Sequence, residues 1–348
     1  MIVDDFLFCE MTSLGHIFQC WDQFRRGKRK RKDVQAFERH LEDNIFQLQI
    51  DLKNFQYSHA PYDQFYVTDP KQRHISKAGV RDRLVHQVVY ATLTKILDEK
   101  FIFHSLSSRI GKGTHIGITH LHRMIRKVSA NGNLPCYALK MDVRRFFDTV
   151  DHEVLKILLR KHIKDENILK ITDMIIDSFQ MKKGTAKNVG IPLGNVTSQL
   201  FANVYLHALD DFIKQELKEK YYLRYCDDFI ILSNDKDHLA SLILTVQDFL
   251  LKTLKLELHP KKVTIRKLSQ GIDFVGYVLF EKHILMRTRS KQRMKRRLKE
   301  AYELYLIGKT DAASMDQRLQ SYLGILSHAN EYALAMGIKN AYWVRTEM

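Results

Sequence analysis

Apolar positions recur along this chain with two different periods, and the switch between them outlines the elements. Val34, Phe37, Leu41, Ile45, Leu48 and Leu52 follow one another at spacings of three and four, which predicts a helix over 33–58. Val80, Leu84, Val88, Leu93 and Leu97 predict a second over 79–100. A glycine-rich loop at 105–117 contains Gly111 and Gly113, and a strand is expected at 136–143. Asp151 is a good N-cap for a helix from about 152 to 163. The stretch 190–199, shaped by Gly190, Pro192 and Gly194, reads as a loop. The next helix has two adjacent apolar rows, Leu200-Val204-Ala208-Phe212 and Phe201-Tyr205-Leu209-Ile213. Two β-prone runs over 223–232 read as a hairpin. A helix near 237–254 and a strand pair around 272–286 follow. The tail predicts two amphipathic helices, one carrying Met294, Leu298, Ala301 and Tyr305, the other Met315, Leu319, Tyr322 and Leu326. The order is a helical lobe, an α+β centre and a helical tail.

The chain has 348 residues, 45% hydrophobic and 28% charged, a globular balance with room for two or three lobes. No apolar run approaches the roughly 20 residues that span a bilayer, so no membrane partner is expected. The start, Met1-Ile2-Val3-Asp4-Asp5, lacks the basic and apolar regions of a signal peptide. Cys9, Cys20, Cys136 and Cys226 form no CxxC pair, which argues for a reducing, cytoplasmic setting and against a structural zinc. The formal charge of +16 points to a polyanion, because lysine and arginine bind phosphates and release counterions. That charge is clustered at 25–32 and again at 282–297.

The candidate chemistry lies in the centre. The hairpin carries Tyr225-Cys226-Asp227-Asp228, two adjacent acids with no base beside them, and Asp142 ends the strand 85 residues earlier. Hard carboxylate oxygens suit a divalent metal. If the two strands are neighbours, carboxylates about 4 Å apart repel by roughly 4 kcal/mol at an effective dielectric near 20. A cation would turn that repulsion into attraction; without one, a carboxyl takes up a proton.

Tyr225-Cys226-Asp227-Asp228 resembles the YxDD box of reverse transcriptases, and Ala138 to Asp148 resembles their first metal-binding motif. Further blocks resemble the family in order. Gln72 to Ser76 with Arg81-Asp82-Arg83 resembles the first fingers block, and Phe103 to Thr114 the second. Gly190 to Gln199 is similar to the fourth block, His259-Pro260-Lys261-Lys262 to the block with the palm lysine, and Phe274-Val275-Gly276-Tyr277 to the primer grip. On these motifs, over about residues 60–330, the chain is identified as a member of that family.

The resemblance implies a right-hand polymerase, with a basic helical extension over 1–54, fingers over 55–135, palm over 136–285 and thumb over 286–348. It implies RNA-templated DNA synthesis with two Mg²⁺ ions, or Mn²⁺ in their place. Asp142, Asp227 and Asp228 would be the catalytic acids and metal ligands, with the carbonyl of Val143. Phe147 would be the steric gate that favours dNTPs over NTPs. Arg73 and Arg83 would meet the triphosphate, and Leu193, Gly194 and Gln199 would lie near the incoming nucleotide. Lys262 would be either a general acid toward pyrophosphate or a nearby charge. Template RNA and the RNA–cDNA duplex would lie on Arg29, Lys30, Arg31, Arg109, Lys112, Arg287, Arg289, Lys291 and Arg293, although Lys112 reads equally as a solvated loop residue.

Many relatives carry Gln-Gly…Ser-Pro where this chain has Leu193-Gly194…Ser198-Gln199. A leucine cannot hydrogen-bond the base pair, and apolar contact discriminates by only about 1–3 kcal/mol, so relaxed fidelity is expected. This block and the tail Ser321 to Asn330 resemble enzymes of diversity-generating retroelements. Those enzymes err at adenines and work with a small basic oligomeric accessory protein. Unassigned and antiphage-defence reverse transcriptases share a similar block and are the alternative biology. A catalytically silent RNA-binding scaffold is the alternative of another class. About 70 residues follow the primer grip, enough for a thumb but not for an RNase H domain, and no Cys/His cluster suggests a nuclease finger. His115, His120 and His122 are expected to fall on different faces of their helix and to be ordinary polar or RNA-facing residues.

Overall fold

The structure, a computed structural model, describes residues 4–68, 71–179 and 188–342. The first three residues of the expected leaderless start and the last six of the expected thumb lie outside it. Four helices open the chain: α1 (Asp4–Met11), α2 (Leu14–Arg25), α3 (Lys32–Glu38) and α4 (Leu41–Lys53). The single helix expected over 33–58 is therefore two. The chain breaks at Arg39-His40, where His40 (φ −123°, ψ 43°) leaves helical geometry. The break lets Val34 and the row Ile45, Leu48 and Leu52 enter one core from two directions.

Strands β1 (Asp63–Val67) and β2 (Arg73–Lys77) form a separate antiparallel hairpin, followed by α5 (Val80–Leu97) and α6 (Thr114–Val128). Then come β3 (Tyr137–Asp142), α7 (Phe146–Thr149), α8 (His152–His162) and α9 (Glu166–Asp177). The Asp151 side chain accepts from the Val154 amide and caps α8 as expected. Helix α10 (Val196–Asp211) begins four residues inside the stretch read as a loop, so Ser198 and Gln199 sit in its first turn. After it come β4 (Tyr222–Tyr225), β5 (Asp228–Ser233), α11 (Lys236–Leu254) and β6 (Thr264–Lys267).

The expected strand pair at 272–286 is a three-stranded sheet: β7 (Ile272–Phe274), β8 (Tyr277–Leu279) and β9 (Ile284–Met286). The tail holds three helices, not two: α12 (Thr288–Leu306), α13 (Ala312–Leu326) and α14 (Tyr332–Ala341). In the third, which the sequence pattern did not predict, Ile338 is the buried residue.

The central sheet runs β4-β5-β3-β6, antiparallel throughout. Alternation along its strands feeds two cores. Leu139, Met141, Tyr222, Phe229 and Ile231 face the helices α5, α8, α10 and α11. Ala138, Leu223, Ile230 and Leu232 face α6 and the small sheet. The first core runs without interruption from the N-terminal helices into the central sheet. A third core, built on Met286, Met294, Leu298, Met315, Leu319 and Leu326, belongs to the tail. Among the described residues, no helix is long and apolar enough to cross a membrane.

Candidate active site

The register of two strands builds the site. Asp142 closes β3 directly opposite Asp228, which opens β5. Residues opposite each other share a face, so both carboxylates emerge on one side of the sheet. A slip of one residue would send Asp142 into the helical core and Met141 to the surface. Cys226 and Asp227 make the turn between β4 and β5, and Cys226 takes a left-handed conformation (φ +56°). The Val143 amide donates to the Asp227 carbonyl at 3.2 Å, and the His259 amide donates to the Asp142 carbonyl at 2.8 Å. Backbone bonds thus fix the three acids to one another and to the 259–262 loop.

Burial dominates the electrostatics. The Asp227 carboxyl is held above the usual carboxylate range by burial first and by Asp142 second. Burial pushes Asp228 up to about 6, against the pull of Lys140. One oxygen of Asp228, Oδ1, is buried without a hydrogen-bond partner. The other, Oδ2, lies 2.9 Å from the Lys140 ammonium. Lys262 sits 2.6 Å from Asp142 Oδ1. Lys140 also donates to the Asp273 carbonyl at 3.1 Å, and the Asp273 carboxylate pairs with Arg287. Charges therefore alternate across the sheet, from Arg287 through Asp273 and Lys140 to Asp228, with Asp142 and Lys262 beside them.

These groups line a cavity of about 310 Å³ together with Lys71, which lies between β1 and β2, and Arg266 from β6. Five cations there face the three acids Asp142, Asp228 and Asp273, an arrangement suited to a polyphosphate. Asp227 is not part of its lining. Among the described residues, no group of three or more His, Cys, Asp or Glu side chains is arranged to hold a metal ion. Ammonium groups instead neutralise two of the acids.

Other sequence-derived residues are scattered around this centre. Phe147 is half-buried and meets fully buried Phe146 edge-on at 5.4 Å; the core position is taken by Phe146. Arg73 is exposed on β2, opposite Val67. Arg83 is turned inward, 2.7 Å from Asp33 of α3 and over the ring of Phe24. The Leu193 carbonyl accepts from the Ser76 amide at 3.0 Å, which places Leu193 and Gly194 against β2. Gly194 has φ +118° and lies so close to Ile75 that a Cβ would crowd it, whereas Gln199 is exposed.

Among the expected RNA contacts, Arg109 turns its side chain inward: the guanidinium grips Asp98 at 2.7 Å and donates to the carbonyls of Ile102 and Ser105. The sequence offered only a loop arginine; the fold makes it a staple for that loop. Lys112 lies 3.3 Å over the ring of Phe103. Arg29 and Lys30 are exposed, and Arg31 borders a cavity with Lys28, Lys77 and Arg83. Arg289 is exposed, Lys291 pairs with Glu331 and Arg293 lines a cavity with Tyr322. His120 packs on Phe103 and His104, whereas the His122 ring bonds the Glu281 carbonyl, so they do face apart.

Sequence reasoning missed Lys140, Asp273, Lys71 and Arg266. A signal for Lys140 was present, since it precedes Asp142 by two residues and must share its face of the strand.

An antiparallel palm sheet backed by helices, acids at the end of its central strands and a helical thumb define a right-hand nucleic-acid polymerase. A family model described as "Reverse transcriptase (RNA-dependent DNA polymerase)" matches residues 68–279, more than half the chain. The chain belongs to the reverse transcriptase family, which implies a general dependence on a divalent metal. The group II intron-encoded protein LtrA of Lactococcus lactis subsp. cremoris is 23% identical over 338 residues, covering 76% of this chain and 54% of LtrA. Protein YkfC of Escherichia coli K12 is 22% identical, with 68% of this chain and 71% of YkfC covered. An uncharacterized 91 kDa protein in the cob intron of Schizosaccharomyces pombe is 27% identical over 152 residues, 43% of this chain but only 18% of that protein. The chain thus spans from under a fifth to about seven tenths of these relatives. Telomerase from Candida albicans has the same fold, with a TM-score of 0.52 at 13% identity, covering 83% of this chain and 57% of that one.

Proposed function

We propose that this protein is an RNA-directed DNA polymerase that extends a primer on an RNA template. The carrying observation is the in-register pair Asp142–Asp228, with Asp227 in the adjoining turn, at the rim of a cation-ringed cavity. The donor set fits a divalent ion: three carboxylates, a neighbouring carbonyl at Val143, and a buried Asp228 oxygen that no protein group satisfies. Asp142 and Asp227 would hold Mg²⁺ or Mn²⁺, aided by the Val143 carbonyl, with Asp228 as an outer ligand. When bound, two such ions would activate the primer 3′-hydroxyl and offset charge on the pyrophosphate leaving group. Lys262 and Lys140, now 2.6 and 2.9 Å from the acids, would be free to turn toward the triphosphate. Lys262 is the better placed to protonate or neutralise pyrophosphate. Phe147 would bar a ribose 2′-hydroxyl. The duplex would lie along the basic face of α12, where Arg289 and Arg293 project, and phosphate contacts there would position it without reading sequence.

Within that activity we read the enzyme as error-prone and of the diversity-generating type, acting with a small basic accessory protein. Leu193 supports this, because it brings an apolar side chain to the loop against β2 where a hydrogen-bonding residue is expected. Primer extension on a defined RNA template tests both levels. Asp227→Ala should lower the rate about 1000-fold or more, since several kcal/mol of charge stabilisation are lost; unchanged synthesis would remove the mechanism. Leu193→Gln should reduce misincorporation opposite template adenine several-fold, and equal error rates would remove the fidelity reading.

A further inference from the structure

The catalytic turn rests on one side chain that the active-site chemistry does not use. Arg224 lies on β4, three residues before Asp227, and is fully buried. All five of its N–H groups are engaged. Nε and Nη2 donate to Asp210 at 2.7 and 2.6 Å. Nη2 also donates to Ser105 Oγ at 2.9 Å, and Nη1 to Asn203 Oδ1 at 3.4 Å. The remaining bond, from Nη1, reaches the Cys226 carbonyl at 3.1 Å, inside the turn that carries Asp227.

Two facts separate this arrangement from ordinary packing. Cys226 has φ +56°, a conformation that a non-glycine residue keeps only where its surroundings enforce it. Its carbonyl belongs to the peptide that leads into Asp227, so the bond from Arg224 orients that peptide. The same guanidinium also holds the 104–107 loop, whose Ser107 carbonyl accepts from Asn203 at 2.9 Å. The backbone of Arg224 is tied there too, by its amide to His104 and by its carbonyl to Leu106. A buried ion pair need not stabilise a protein more than an apolar replacement would. Its distinctive contribution is directional.

We propose that Arg224 is a positioning residue that sets the Cys226-Asp227-Asp228 turn and locks it to the 104–107 loop. Lysine at this place keeps the charge but has no planar fork, so it cannot hold Asp210, Ser105 and the Cys226 carbonyl together. The kinetic arm of the test rests on the polymerase reading; a second arm does not. In a Cys9→Ser parent the one exposed thiol is gone, while Cys20 and Cys136 are buried. Labelling of Cys226 by a thiol reagent then reports on the turn, and it should be slow in the parent because Cys226 is only partly accessible in a turn held by Arg224.

Arg224→Lys is expected to speed Cys226 labelling at least tenfold. It should lower kcat for nucleotide addition about 100-fold while KM for dNTP stays within threefold. Ser105→Ala, which removes a single bond, should give the same pattern at a few-fold. A folded Arg224→Lys protein with the parent's labelling rate and kcat overturns the inference. If Arg224→Lys does not fold, a Ser105→Ala protein with the parent's labelling rate overturns it. If the parent extends no primer, the polymerase reading fails and the labelling rates alone decide the role of Arg224.

Discussion

Two β-hairpins carry residues of this site, and they are built on opposite principles. In the β4–β5 hairpin, Tyr222, Leu223 and Arg224 are buried on one strand and Phe229 to Leu232 on the other, with helical core on one face and α6 on the other. Its register cannot change without exposing one of two cores. In the β1–β2 hairpin all five residues of β1 are exposed, and a Tyr66–His74 ring contact at 5.0 Å crosses the strands. Among the described residues it is held near its base, by the Leu193 and Asn195 contacts to Ser76 and by the pairing of Lys77 with Asp33. A two-stranded ribbon without a core is marginal. Asp227 and Asp228 sit on the hairpin packed between two cores, and Arg73, exposed, sits on the one without a core.

The contrast can be broken first at Arg224. Arg224→Met leaves Asp210 buried and uncompensated beside Tyr222, whose hydroxyl already donates to it at 2.6 Å. A loss of about 3–5 kcal/mol in urea unfolding is expected, as for other buried pairs that lose one partner. A change under 1 kcal/mol would mean that the rigid hairpin does not depend on this network.

His86 tests the floor beneath the free hairpin, where it borders a cavity with Phe65 and Ile75. Its ring contacts Thr197 Oγ1 at 2.5 Å, and burial pulls its pKa down to about 3. The unfolded chain takes up a proton near 6.5 and the folded ring resists it, so between these values the unfolded state binds more protons. Stability should therefore fall as pH drops below 6.5, by a few kcal/mol near pH 4, with the loss levelling off below pH 3. His86→Gln should show a shallower fall between pH 7 and 4.5 in urea titrations. Parallel curves for the two proteins would show that this site does not set the acid sensitivity.

The smallest effect sharpens the comparison. Arg73→Ala should raise KM for dNTP roughly tenfold, as for one lost charge-assisted hydrogen bond. The melting temperature should not move, since Arg73 supports no core. A drop in melting temperature with unchanged KM would make Arg73 a structural residue.

Elements with a strong local signal were legible without the fold. The Asp151 cap, the paired apolar rows of α10 and the strand ending at Asp142 follow from spacing and side-chain type alone. The break between α3 and α4 was not, because Phe37 and Leu41 keep a helical spacing across residues 39–40 while only packing demands a bend. Nor was the third tail helix, in which Tyr332 and Met336 stay exposed and Ile338 is the buried residue. Arg83 and Arg109 look like any other basic residues in the chain; Asp33 and Asp98, distant in sequence or across a loop, turn them inward.

The amino-acid order alone settles which groups are on hand: three acids in two short motifs, a large positive charge, an apolar Leu193 beside Gly194, and helices that announce their buried faces. Those are local properties, carried by spacing and chemistry. Tertiary structure decides which of these groups meet. Strand register sets Asp142 against Asp228, burial raises the proton affinity of Asp228, and Lys140 and Lys262 come to rest on the two acids. Such outcomes depend on pairing and desolvation between residues as much as 120 positions apart, and no periodicity along the chain encodes them.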